Sequence, residues 1–110
     1  MKAPYLEDRN GQKILIVDGA PFIMIAGEVH NSSASNAEFM ETVWKRADEL
    51  NLNSVLLPIY WEIIEPEEGK FDFSLVDSII FQAREHRKKI GFLWFGSWKN
   101  AQCYYAPEWV

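Results

Sequence analysis

The sequence predicts an α/β fold built on a parallel sheet, and three observations carry that expectation. Short apolar runs begin near residues 22, 54 and 91, spaced by roughly 32 and 37 residues, the length of a strand plus a covering helix. The segments between them repeat apolar residues at helical spacing. Each run ends in polar and aromatic residues: Glu28 and His30 after the first, Trp61 and Glu62 after the second, Trp98, Lys99 and Asn100 after the third. Strand–helix–strand–helix–strand order demands parallel strands joined by right-handed crossovers, so these three groups are expected on one rim. Polar and aromatic residues at such strand ends are what a ligand site on an α/β fold requires.

In chain order, residues 1–13 are polar, with Pro4 and Gly11, and are expected to be a lead-in. Residues 14–17 read as a short strand, Asp18-Gly19-Ala20-Pro21 as a hairpin turn, and 22–26 as the next strand. Residues 32–35 form a small polar loop. Ser35 and Glu38 fit a capping box that opens a helix, with Phe39, Val43, Trp44, Ala47 and Leu50 on its apolar face and Asn51 as its stop. The run 54–59 reads as a strand buried on both faces. Pro58 would remove a ladder donor, so that strand is expected to end or bulge there. A turn on Glu65, Pro66 and Gly69 leads to the cluster Phe71, Asp72 and Phe73.

Ser74 is the expected cap of a second helix, striped by Leu75, Val76, Ile79, Ile80 and Ala83 and closed by the basic run 84–89 and Gly91. Residues 91–95 read as the third strand, and 101–110 as a long loop with Pro107.

A chain of 110 residues holds one domain at most. Hydrophobic content of 48% with 25% charged residues is that of a globular protein. The net charge of −5 argues against nucleic acid and anionic membrane as partners, since both need clustered Lys and Arg. No apolar stretch reaches the ~18 residues of a membrane span, and no apolar h-region opens the chain, so a cytoplasmic location is expected. The lone Cys103 excludes an intramolecular disulfide and has no sequence neighbours that suggest a nucleophile. Glu28 and His30, without a third ligand, do not make a metal site; alternation sends them to one side of their strand, where they can bond each other. No cofactor is expected.

Taken together, Gly27-Glu28-Val29-His30, Trp61 followed by Glu65-Pro66, and Gly69-Lys70-Phe71-Asp72-Phe73 resemble the opening of family 35 and family 42 glycoside hydrolases, the β-galactosidase-like (β/α)8 barrels. The nearer likeness is to a family 35-like branch whose third strand runs into Trp-Phe-Gly-Ser-Trp-Lys-Asn, here residues 94–100. The resemblance implies a retaining mechanism, with an acid/base after the fourth strand and a nucleophile near the seventh, about 5 Å apart. It also implies that residues 14–110 are the N-terminal portion of a (β/α)8 barrel, about three strands and two helices preceded by a short hairpin strand. A whole barrel needs ~250 residues, so both catalytic carboxylates are expected beyond Val110. The chain departs from typical galactosidases at Pro58, where a Tyr is usual, and at Glu62, where an Asn is. It also has Lys99-Asn100 near the position of an Ala-Glu. These departures bear on sugar specificity.

Substrate contacts implied by the resemblance and by the shared rim are Glu28, His30, Trp61, Glu62, Trp98, Lys99 and Asn100. Glu62 and Glu65 could be read as a catalytic pair, but bracing of the Pro66 turn by Glu65 is favoured. Trp61 and Trp98 are stacking candidates with packing as the alternative; Trp44 is assigned to the core, and His86 to solvent. The expected function is therefore part of a retaining β-galactosidase-like hydrolase, inactive alone, with carbohydrate as partner and self-association through open strand edges. The alternative is a non-catalytic carbohydrate-binding or assembly α/β module. A flavodoxin-like nucleotide binder is disfavoured, because no Gly-rich phosphate loop follows a strand.

Overall fold

The computed structural model describes residues 2–99 and 103–110. Its centre is a parallel sheet of β4 (Ala26–Glu28), β5 (Ser54–Tyr60) and β6 (Lys89–Phe95), in that order. The register runs Ala26↔Ser54 to Glu28↔Leu56 on one side and Ser54↔Lys89 to Tyr60↔Phe95 on the other. The expected parallel strands are present, with bounds that differ from the reading above for identifiable reasons.

Residues 5–9, expected in the lead-in, form β1 (Tyr5–Arg9), which pairs antiparallel with β2 (Gln12–Val17). The turn is Asn10-Gly11, at φ 55° and 81°, the backbone that a two-residue hairpin of the right twist requires. Asp8 clamps it by accepting from Lys13 Nζ (2.7 Å) and Gly11 N (3.0 Å), and these bonds hold its carboxyl below the usual range. The Asp18-Gly19 turn links β2 to β3 (Ala20–Pro21) as expected.

The strand expected over 22–26 is shifted: the ladder covers only Ala26–Glu28. Its entry is held by a side chain instead, since Asn53 Oδ1 accepts from Ile25 N (2.8 Å) and Asn53 Nδ2 donates to Ile23 O (2.7 Å). Pro58 neither ends nor bulges β5. Val29 N bonds Leu56 O and Ser54 N bonds Ile25 O, so even-numbered residues of β5 turn their polar backbone toward β4. At Pro58 that side lies beyond the end of β4, so no ladder donor is lost.

Helix α1 (Ala37–Glu49) is capped by Asn36, whose side chain accepts from Phe39 N (3.0 Å), and not by Ser35, which sits in a 3-10 turn and donates to Ser32 O. Its core stripe is Met40, Trp44 and Ala47; Phe39 and Leu50, expected inside, are 52% and 61% exposed. A single turn, α2 (Trp61–Ile64), follows β5 directly. Helix α3 (Ser74–Glu85) starts where Asp72 Oδ1 accepts from Ser74 N (2.8 Å). It closes at Arg87 (φ 55°), with Lys88 N bonding Ala83 O, and α1 closes likewise at Asn51 (φ 53°). Gly91 therefore lies inside β6 and does not end α3; a Cβ there would meet Leu56 Cδ2 on the neighbouring strand at 2.5 Å.

Both helices cover one face of the sheet. Trp44, Ala47, Val55, Leu57, Ile79 and Ala83 form the core, and Trp44 Nε1 donates to Gln82 Oε1 (3.0 Å) while Gln82 Nε2 donates to Ala37 O (2.9 Å). His86 is not simply solvent-facing: its ring stacks on Trp44 with centroids 6.3 Å apart, and its Nδ1 lies 2.6 Å from Asp48. Lys88 reaches Asp48 (2.7 Å) and Leu52 O (2.8 Å), so part of the basic run ties the end of α1 to the start of β6. Those bonds, from Lys88 and then His86, lower the Asp48 pKa. Residues 101–110, expected as loop, include β8 (Cys103–Tyr104), paired antiparallel with β7 (Trp98–Lys99). No described helix is long and apolar enough to cross a membrane.

Candidate functional site

Parallel strands put the ends of β4, β5 and β6 on one edge of the sheet. Tyr60 and Phe95, register partners and the last residues of β5 and β6, are buried there at 3% and 2% exposure. Their rings meet edge-on (centroids 5.9 Å), and Tyr105 closes the cluster at 5.5 Å from Tyr60 and 5.0 Å from Phe95. Tyr60 Oη donates to Asn31 O (2.5 Å), joining the ends of β4 and β5. Burial pushes the Tyr60 phenol up to about 12, helped by the nearby Tyr105 and Glu62. Lys99 Nζ sits 4.6 Å from the Phe95 ring centroid, a cation–π contact with this cluster.

Beside it stands a second aromatic group. Trp61 and Trp109 meet at 88° with centroids 5.7 Å apart. Both are held by Glu65: its Oε2 accepts from Trp61 Nε1 (2.7 Å), and its carbonyl from Trp109 Nε1 (2.9 Å). The other carboxylate oxygen accepts from Gly69 N (2.8 Å), where φ is 74°. The brace reading of Glu65 thus holds, and both its oxygens are occupied. Glu62, whose amide bonds Tyr105 O (2.9 Å), is exposed and borders a crevice of about 410 Å³ with Pro66, Pro107 and Glu108.

Of the residues singled out from sequence, Trp61, Glu62 and Lys99 belong to this assembly, and Trp98 lies on β7, 65% exposed. Glu28 and His30 lie on the same edge but apart: both are exposed, and His30 borders an open groove of about 480 Å³ with Ser32, Asn36 and Phe39. Among the described residues no hydrogen bond or ring contact links Glu28 or His30 to the other singled-out side chains. Asn100 lies outside the described residues. Among those residues, no group of three or more His, Cys, Asp or Glu side chains is placed to hold a metal ion.

Four further residues reach the rim: Tyr60, which forms an aromatic pair with Trp61 in the sequence where the second apolar run stops, and Phe95, Tyr105 and Trp109, which the sequence pattern did not single out. The first two were legible as terminal residues of strands in register; the last two return from beyond β6 and carry no local signal. Chemically, the described residues of the rim offer flat aromatic faces, acceptor carboxylates and the Lys99 cation, a set suited to the C–H faces and hydroxyls of a sugar.

Comparison with known proteins bears on what this edge belongs to. Relatives include beta-galactosidase 11 of Arabidopsis thaliana, 35% identical over 54% of the chain, and a beta-galactosidase of Xanthomonas manihotis, 35% identical over 52%. The chain spans 7% and 9% of the length of these two proteins. An exo-beta-1,4-mannosidase from Opitutaceae bacterium strain TAV5 superposes with a TM-score of 0.65 at 19% identity, over 84% of this chain and 18% of that one. That likeness shows the fold, part of a (β/α)8 barrel. Residues 14–89 match the sequence profile of glycosyl hydrolases family 35, and the chain belongs to that family.

Proposed function

We propose that this chain is one portion of a retaining β-galactosidase-like hydrolase acting on O-glycosidic bonds, and that it forms a wall of the sugar subsite. The observation that supports this most is the pair of aromatic groups gathered at the ends of β5 and β6, Trp61 against Trp109 and Lys99 over Phe95, in a family 35 chain. Trp61 and Trp98 would stack on the sugar, while Glu28, His30, Glu62, Lys99 and Asn100 would bond its hydroxyls. The chemistry needs two carboxylates about 5 Å apart, one protonating the leaving oxygen and one attacking the anomeric carbon. Glu65 is committed to Trp61 and Gly69, and so is not free for either role. We assign both catalytic carboxylates to later barrel strands of the full-length protein.

The test is hydrolysis of an aryl β-galactoside by the purified 110-residue chain alongside a full-length relative. No turnover by the chain is expected, with weak galactoside binding that Trp61→Ala reduces but leaves measurable; turnover by the pure chain overturns the assignment. The relatives' names point to a galactoside, and Pro58 and Glu62 widen the set of sugars to be tried.

Among the described residues β4 and β6 each pair on one side alone, and Ile25 just before β4 and Phe92 and Trp94 on β6 are 55%, 41% and 56% exposed. The isolated chain would therefore associate through its edges. Sedimentation should show species larger than a monomer, and a strictly monomeric chain would contradict this.

A further inference from the structure

Glu65 sits where three segments meet. Its carboxylate takes the indole N–H of Trp61 on α2 with one oxygen and the amide of Gly69 with the other, at 2.7 and 2.8 Å. Its carbonyl takes the indole N–H of Trp109, a residue 44 positions further along the chain, at 2.9 Å. The turn it spans is closed by Glu67 and Lys70, which pair across an isolated bridge, and by Asp72 N bonding Ile64 O at 2.7 Å. One residue thus fixes the direction of both indoles, and their perpendicular packing follows from where their N–H groups are held.

We infer that Glu65 is a positioning residue whose carboxylate orients the Trp61 indole, beside the Trp109 indole that its carbonyl holds, as the aromatic platform of the sugar subsite; this rests on the function proposed above. A carboxylate suits the task because it offers two acceptor oxygens and no donor. An amide cannot replace it: Gln has one oxygen for two N–H donors, and its NH2 would face one of them. A hydrogen bond to a charged acceptor is also the stronger kind, which favours holding an indole on a half-exposed edge. Pre-set aromatic faces bind at lower ordering cost than free ones.

Hydrogen exchange of the indole N–H groups, followed by 15N–1H spectroscopy, tests the orientation directly. In the wild-type chain the Trp61 indole should exchange about tenfold or more slowly than the exposed Trp98 indole, and equal rates would overturn the inference without any variant. In Glu65→Gln the Trp61 rate should rise about tenfold while that of Trp44, bonded to Gln82 in the core, stays unchanged. An unchanged Trp61 rate again overturns it.

Calorimetric titration with methyl β-D-galactopyranoside gives the second reading. Glu65→Gln should weaken binding about tenfold in the wild type and not at all in a Trp61→Ala background, because the carboxylate acts through that ring. An equal further loss in that background would mean that Glu65 acts on its own and would refute the positioning role. A wild-type chain with no galactoside affinity defeats the sugar reading alone, while the exchange rates still decide whether Glu65 holds the indole.

Discussion

The end of β4 and the ends of β5 and β6 lie on one edge of one sheet, yet they are built differently. At β5 and β6 the strands finish in Tyr60 and Phe95, roofed by Tyr105 and flanked by the Glu65-held indoles. At β4 the strand is three residues long, and Glu28 and His30 stand exposed. Tyr60 Oη on Asn31 O is a side-chain link between the two. The difference has a topological cause. β5 and β6 pair with each other over seven residues, whereas β4 pairs with β5 over three, and its entry relies on the Asn53 side chain in place of a longer ladder. One part of the proposed sugar wall is thus pre-formed, and the other has fewer contacts to hold it.

The contrast can be broken most forcefully at Phe95. Phe95→Ala should cost about 3–5 kcal/mol by chemical denaturation, because it empties the buried ring cluster. A loss below 1 kcal/mol would mean that the second tip is no firmer than the first. Asn53→Ala should come next, at about 2 kcal/mol, since three side-chain bonds to Ile23, Ile25 and Ser54 disappear together. Amide exchange should then quicken in β4 before β6; uniform quickening would contradict the idea that Asn53 anchors the weaker strand.

Tyr60→Phe should cost about 1 kcal/mol near neutrality, leaving Asn31 O without its donor. It also carries a pH signature. The folded phenol titrates near 12 against 10.0 unperturbed, so the folded chain keeps a proton that the unfolded chain loses. The associated stability is complete below about pH 10 and is lost as pH rises toward 12. Tyr60→Phe should therefore flatten the alkaline limb of a stability-versus-pH curve, and an unaltered limb would place the titration elsewhere. The smallest effects belong to Glu28→Ala and His30→Ala, each within about 0.5 kcal/mol of wild type. A larger loss at either would show structural partners at the β4 tip.

Much of this was legible in the chain itself. The three apolar runs, their spacing and the helical stripes between them give parallel strands with helices, since a strand–helix–strand path has few alternatives. Trp44 on its stripe is core, and Glu65 before Pro66 is a brace, for equally local reasons. The Asn10-Gly11 hairpin was also available as a turn signal, though residues 5–9 look too polar to be counted as a strand. Pro58 misleads because a ladder donor matters only on a side that has a partner, and no local pattern tells which side that is. The α1 face was misjudged because Phe39 and Leu50 are apolar enough for a core, yet they border the open side of the sheet.

What the sequence by itself determined is the order and direction of the strands, because backbone hydrogen bonding and apolar periodicity act over neighbouring residues. The tertiary structure alone decided which tips touch. Tyr105 and Trp109 reach the Tyr60 and Glu65 clusters across more than forty residues of chain, through contacts that no local propensity encodes.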